Sequence, residues 1–185
     1  NAVTGLTDAM LDSIPMICIT GQVARHLIGN DAFQEADTVG ITRPCTKHNY
    51  LVSDTSDVQR VIREAFYVAS SGRPGPVVID MPKDVQVEKA TFKLTGNVEH
   101  RTYRPQIDAD EKAIRKAAAA MAAGARPVIY AGGGIVNSGP EASDLLLEFA
   151  TLTGMPVTNT LMGLGTFPAS NKQFLGMLGM HGTWE

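Results

Sequence analysis

Short apolar runs led by proline recur along the chain, and each follows a stretch with helical spacing. They are Ile14-Pro15-Met16-Ile17-Cys18-Ile19, Gly75-Pro76-Val77-Val78-Ile79, Arg126-Pro127-Val128-Ile129-Tyr130 and Met155-Pro156-Val157. Proline is accepted as the first residue of a strand and resists continuing the helix before it. The runs are continuous and rich in β-branched residues, as strands buried on both faces of a parallel sheet require. Between them the apolar positions repeat at the helical period. Val58, Val61, Ile62, Ala65 and Ala69 share one face, with Ser56 and Gln59 spaced for a capping box. Ile114, Ala117, Ala118 and Met121 share a face of a second helix, with Asp108 and Glu111 at its start. A third helix, opened by Ser138 and Glu141 and closed by Gly154, presents Ala142, Leu145, Leu146, Phe149 and Ala150. This alternation predicts an α/β protein with parallel sheets flanked by helices.

The rhythm breaks between Asp84 and Ile107, where the sequence is polar, mixed in charge and without a clear period. A structureless stretch of that length inside one domain would be unusual. The expectation is therefore parts of two doubly wound α/β domains, residues 1–84 and 107–185, joined by a linker over 85–106. Composition narrows the class: 44% hydrophobic, 19% charged and a net charge of −3 describe an ordinary soluble protein. Lys and Arg (16) are outnumbered by Asp and Glu (19), which argues against a nucleic-acid partner. The apolar runs fall short of the ~20 residues a membrane span needs. Cys18 reads as a reduced core residue and Cys45 as part of a polar loop, so a disulfide framework is not expected and a cytoplasmic or organelle-matrix setting fits. A chain running from Asn1, without a targeting segment, to Glu185 reads as a piece of a larger protein.

Candidate chemistry concentrates in the segments that follow the strands. Gly21 to Glu35 leaves the first strand and is dense in polar and aromatic residues, and open α/β sheets bind ligands outside the carboxyl ends of their strands. Gly132-Gly133-Gly134 follows the strand ending at Tyr130. It lacks the last glycine of the dinucleotide fingerprint, because Asn137 stands there, so a tight turn and a ligand-approach loop fit it equally. Thr160 to Pro168 follows the next strand, and its glycines and Thr160 suit either a cofactor or an ordinary exit. Met177 to Gly182 surrounds His181 with soft side chains, more often a packing pattern than a cofactor wall. Arg73, held between glycine and proline, suits an anion or simply solvent. Arg43, Lys47 and His48 form a basic cluster open to the same two readings. Cys45 and His48 have no second ligand pair and make no metal site. Lys83, between Asp80 and Asp84 and just past a strand, is placed for a ligand, although a surface lysine is the default.

Taken together, Gly21 to Glu35, Thr46 to Val52, Ser71 to Pro76, Met81-Pro82-Lys83-Asp84, Thr160 to Pro168 and Met177 to Thr183 resemble the catalytic large subunit of acetohydroxyacid (acetolactate) synthases. Each motif is weak alone; their order and spacing are specific. The resemblance implies a thiamine-diphosphate enzyme that decarboxylates pyruvate and joins the two-carbon unit to a second pyruvate or to 2-oxobutyrate, in branched-chain amino-acid synthesis. It implies that residues 1–84 belong to the pyrimidine-binding domain and 107–185 to a central FAD-binding domain. By resemblance, Gln34 lies beside the thiazolium ring, Phe33 at the substrate channel, and Ser13, Ala24 and Lys83 around the cofactor and channel entrance. Arg73, Gly133, Thr160, Leu161, Met162, Gly163, Leu178, Gly179, Met180 and His181 correspond to FAD-lining positions. His26 stands where some relatives have arginine and Ala24 where some have proline, which bears on channel shape rather than on the reaction.

Activating thiamine diphosphate takes a carboxyl group acting on its aminopyrimidine and a metal holding its diphosphate. The resemblance puts that glutamate, and the Mg2+ ligands, outside this chain, so the isolated chain is expected to be inactive. It also implies a homodimer or higher assembly, often with a small regulatory subunit. Competing readings are another thiamine-diphosphate enzyme, such as glyoxylate carboligase, pyruvate oxidase or sulfoacetaldehyde acetyltransferase, and a non-catalytic flavin-binding module.

Overall fold

Strand β3 (Pro76–Pro82) organises the first of two units, residues 1–107 and 108–185. The computed structural model describes residues 1–92, 96, 98 and 100–182. Strands β1 (Met16–Gln22) and β2 (His48–Leu51) flank β3, both parallel to it, in the order β1-β3-β2. Side chains alternate across a strand, so β3 buries residues on both faces. Val77 and Ile79 pack with Val61, Ala65, Val68 and Ala69 of helix α3 (Val58–Ser70). Val78 packs on the other face with Cys45 and with Leu6 of helix α1 (Ala2–Asp12). Helices on both faces of a parallel sheet make the unit doubly wound.

Strands form at all four proline-led runs, but only those after Gly75 and Met155 are buried on both faces; the other two lie at sheet edges, with Ile19 and Tyr130 each 61% exposed. Strand β2 was not among the predicted strands: it lies at a sheet edge, and its His-Asn-Tyr-Leu sequence has no continuous apolar run. Cys45 is buried at 6% exposure, a correction to its reading as part of a polar loop. It closes a 3-10 turn, Arg43–Cys45, that follows short helix α2 (Thr38–Thr42), and that turn directs its thiol inward. Asp54 accepts hydrogen bonds from the backbone and hydroxyl of Ser56, opening a 3-10 turn that leads into α3 at Val58. The described part of 85–106 is not featureless. Helix α4 (Lys83–Val87) extends into it and buries Val85, while Tyr103 packs on the first unit's core and donates to the Ser71 carbonyl.

In the second unit, β4 (Ile129–Ala131), β5 (Val157–Asn159) and edge strand β6 (Phe174–Met177) form a parallel sheet in the order β4-β5-β6. Helix α7 (Pro140–Thr153) packs Leu146 and Ala150 against Val157 and Phe167. Leu145 and Phe149, predicted on the buried face, are exposed, because the contact line runs through Leu146, Leu147 and Ala150. Gly154 ends the helix at φ 69, as its position predicts. Ser138 does not open α7. Its hydroxyl donates back to Gly134 across a short helix α6 (Gly133–Asn137), and α7 begins at Pro140 after Gly139. Helix α5 (Glu111–Ala123) is capped by Asp110 rather than Asp108, and none of its residues is buried. No described helix is long and apolar enough to cross a membrane.

Candidate functional site

The segment leaving β1 has no buried residue between Gly21 and Glu35, so burial does not hold it in place. Polar tethers do. Gln22 donates to the buried carboxylate of Asp80 at 2.9 Å and to the Ala36 carbonyl at 2.7 Å, and accepts from its neighbour Val23 N–H. Thr20 donates to the other Asp80 oxygen at 2.7 Å. Asp80 thus fastens the end of β1, and Gln22 ties that end to the far side of the loop.

Arg25 is the second tether. Its backbone N–H and its Nε both donate to Asp84, at 3.0 and 2.7 Å, while Nη1 reaches the Ser53 carbonyl and Nη2 pairs with Glu88. One side chain therefore joins the segments that follow β1, β2 and β3. Lys83 neighbours Asp84 at the start of α4, so the loop carrying Phe33 and Gln34 and the lysine occupy the same carboxyl end of the sheet. Phe33 is 88% exposed, and the side chains of Gln34 and Lys83 are exposed without hydrogen-bond partners among the described residues.

The Arg25 guanidinium holds the Asp84 carboxyl down to about 2. A carboxyl depressed in the folded state stabilises above its unfolded value near ~3.9, and that contribution fades as pH falls through the folded value. We expect NMR titration of Asp84 to show a midpoint near 2, as in the wild-type fold, and Arg25→Met to move it up towards the ordinary carboxylate range. Acid unfolding of the variant should then begin at a higher pH than in the wild type.

Ser13 and Arg73 lie at the opposite end of this sheet, before β1 and β3. A seven-residue strand separates the ends by about 20 Å. Ser13 closes α1 at φ 61, and the Arg73 guanidinium donates to its hydroxyl at 2.8 Å and to the carbonyls of Met10 and Leu11. Cations suit the carboxyl end of a helix, so Arg73 has a capping role here. Lys47 is similarly committed: Nζ donates to the carbonyls of Val68 and Ser71 and to the Tyr103 hydroxyl. His48 packs its ring against Tyr50 and His100, and burial pushes its imidazole down, with His100 adding to the effect. The basic cluster of Lys47 and His48 is internal scaffolding rather than an anion receptor.

In the second unit the candidate segments follow three adjacent parallel strands: Gly133 after β4, Thr160 to Gly163 after β5, and Leu178 to His181 after β6. Thr160 donates its N–H to Ala131 and caps the turn by accepting from Gly163 N–H at 3.1 Å. Asn159, wholly buried, donates to the Gly163 carbonyl at 2.5 Å, and Thr166 donates to the same oxygen. A Cβ on Gly133 would stand 3.1 Å from Met162 Cβ, so the first two segments touch. Leu161, Met162, Leu178 and Met180 are exposed around this crest. Thr183, the last residue of the predicted motif, lies outside the described residues.

Arg25, Glu35, Asp80 and Asn159 were not singled out from the sequence. Asn159 had a usable signal, a polar residue ending a buried strand. Asp80 had a similar one, following the apolar run Val77-Val78-Ile79, whereas Arg25 did not, since its partners lie 28 to 63 residues away.

Residues 1–41 match the N-terminal TPP binding domain of thiamine pyrophosphate enzymes, and residues 114–185 match their central domain. The chain is 52% identical over 183 residues to an acetolactate synthase of Mycobacterium bovis, covering 99% of this chain and 29% of that protein. It is 46% identical over 187 residues to the acetolactate synthase large subunit of Haemophilus influenzae, covering 100% and 32%. It is 50% identical over 189 residues to the chloroplastic acetolactate synthase 1 of Zea mays, covering 99% and 28%. The chain belongs to the thiamine pyrophosphate enzyme family. Its similarity to acetolactate synthases extends over its whole length, and it spans about a third or less of theirs. The α/β units with parallel sheets are those of thiamine pyrophosphate enzymes, and the two matched domains fall one in each unit.

Proposed function

We propose that a polypeptide of its relatives' length carrying this chain is an acetolactate synthase. It would condense two pyruvates to 2-acetolactate, or pyruvate and 2-oxobutyrate to 2-aceto-2-hydroxybutyrate, releasing CO2, for valine, leucine and isoleucine synthesis. The observation carrying this reading is identity of about half along the whole chain to acetolactate synthases of bacteria and a plant. The uncommitted side chains of Phe33, Gln34 and Lys83 at a sheet's carboxyl end fit a cofactor and substrate wall.

Bound thiamine diphosphate supplies the electron sink for decarboxylation. In this reading Gln34 flanks its thiazolium ring, Phe33 excludes water from the substrate channel, and Lys83 guides the anionic substrate at the entrance. FAD would lie along the crest of the second unit, against Gly133, Thr160 to Gly163 and Leu178 to His181. The exposed Leu161, Met162, Leu178 and Met180 suit an apolar ring. Arg73, carried over as a flavin-contacting position, is committed in the first unit to the carboxyl end of α1. Ser13, bonded to Arg73, would act from the same end of the first unit's sheet. Among the described residues no group of three acidic, histidine or cysteine side chains is gathered to hold a metal. Residues 1–84 and 107–185 would be parts of the pyrimidine-binding and central domains, with 85–106 the connection. Assembly into at least a dimer, with a regulatory subunit, and a cytoplasmic or organelle-matrix location complete the proposal.

Supplied with pyruvate, thiamine diphosphate, Mg2+ and FAD, the longer polypeptide should form acetolactate, detected colorimetrically as acetoin after acid treatment. The 185-residue chain alone should form none. A full-length protein that consumes no pyruvate would sink the proposed activity, and turnover by the chain alone would overturn its predicted silence.

A further inference from the structure

The tip of the loop after β1 is built around one carboxylate. Glu35 accepts the backbone N–H of Gly29 and, at 2.9 Å, that of Ala32, while its own N–H donates back to the Ala32 carbonyl. The backbone enclosed is strained. Gly29 is at φ 84, Asp31 at φ 52 and Gln34 at φ 63, and the left-handed region costs a non-glycine residue about 1 kcal/mol or more. No residue of the tip is buried, so packing does not hold these angles. A carboxylate accepting converging amide N–H groups is strong enough to do so.

We propose that Glu35 is a positioning residue that holds Phe33 and Gln34 in the conformation that presents them to cofactor and substrate. This rests on the reading of that loop as a wall of the thiamine-diphosphate site. Phe33 and Gln34 lie inside the ring closed between Ala32 and Glu35, so the direction of both side chains is set by the closure. Arg25 and Gln22 anchor the base of the loop through Asp84, Ser53, Glu88, Asp80 and Ala36, and neither side chain bonds to residues 29–35. The Gly29 and Ala32 amides keep the Glu35 carboxyl below the usual carboxylate range, so the closure persists in weakly acidic solution.

Hydrogen exchange and kinetics on Glu35→Gln and Glu35→Ala, in the longer polypeptide, test this. Losing a charge-assisted hydrogen bond should speed exchange of the Gly29 and Ala32 amides by about 10–100-fold, with β3 amides unchanged. In the same variants kcat/KM for pyruvate should fall by about 10–100-fold, the loss expected when a contact group is misplaced, with Tm unchanged. A purely structural residue would instead lower Tm and expose β3. Unchanged exchange at Gly29 and Ala32, or faster exchange with full kcat/KM, would overturn the proposal. Should Glu35→Ala fail to fold, the isosteric Glu35→Gln carries the test. A wild-type protein without acetolactate formation would refute the proposed function, while the exchange measurement would still decide whether Glu35 closes the loop.

Discussion

Replacing Gly163 by alanine is expected to destabilise the second unit by about 3 kcal/mol, the upper part of the range for forced overpacking. The added Cβ would fall far inside contact with the Ala131 carbonyl oxygen and 3.0 Å from Gly132 Cα. Both obstacles are backbone, and Ala131 is held in β4, so neither yields by rotating a side chain. The turn is also fixed from below, since Asn159 and Thr166 both donate to the Gly163 carbonyl. Relief would separate the segments after β4 and β5, the contact that builds the crest. Gly134→Ala is the control: its Cβ would meet nothing within 4 Å. Because it lies in helix α6, that change should be neutral or stabilise by about 0.5–1 kcal/mol. In a unit this small, Gly163→Ala should lower Tm by more than about 10 °C. Equal melting of the two variants would show that the crest is not packed as described.

Ile79→Ala is expected to cost the first unit about 2–5 kcal/mol, the range for truncating a buried isoleucine. Ile79 is wholly buried in β3, between Ile19 of β1 and Tyr50 of β2, and faces the α3 cluster. The strands on both sides depend on β3, so slow-exchanging amides in β1 and β2 should lose protection together. Ile19, its register partner, is 61% exposed. Ile19→Ala should change stability by no more than about 0.5 kcal/mol, as exposed substitutions generally do. Comparable losses from the two variants, read by thermal melting, would contradict the assignment of β3 as the axis of the unit.

The proline-led strands were legible because each combines a continuous apolar run with a proline at its start, and both signals are written locally. Strands β2 and β6 have no leading proline and escaped the pattern, while β1 and β4 carry one and were legible although they too lie at sheet edges. Helix α7 was legible as a helix, and of its predicted face Leu146 and Ala150 are buried while Leu145 and Phe149 are exposed. Leu145 and Leu146 are equally apolar, and only docking on β5 selects between them. The same limit applied to polar residues. Lys47 and Arg73 read as cations facing an anion or solvent, yet each is spent on the carboxyl end of a helix distant in sequence. Phe33, Gln34 and Lys83 were named from resemblance to a family, and the fold leaves them exposed and uncommitted at one end of a sheet.

By itself, then, the sequence determined the α/β class, the proline-led strands, the helices between them and the family, because periodicity and motif order are local properties of a chain. Tertiary structure alone decided which charges are free. Arg25 is bound to Asp84, Glu88 and Ser53 across 28 to 63 residues, and Glu35 is turned back on its own loop. A hydrogen bond depends on distance in space, and folding sets that distance with no mark in the spacing of residues along the chain.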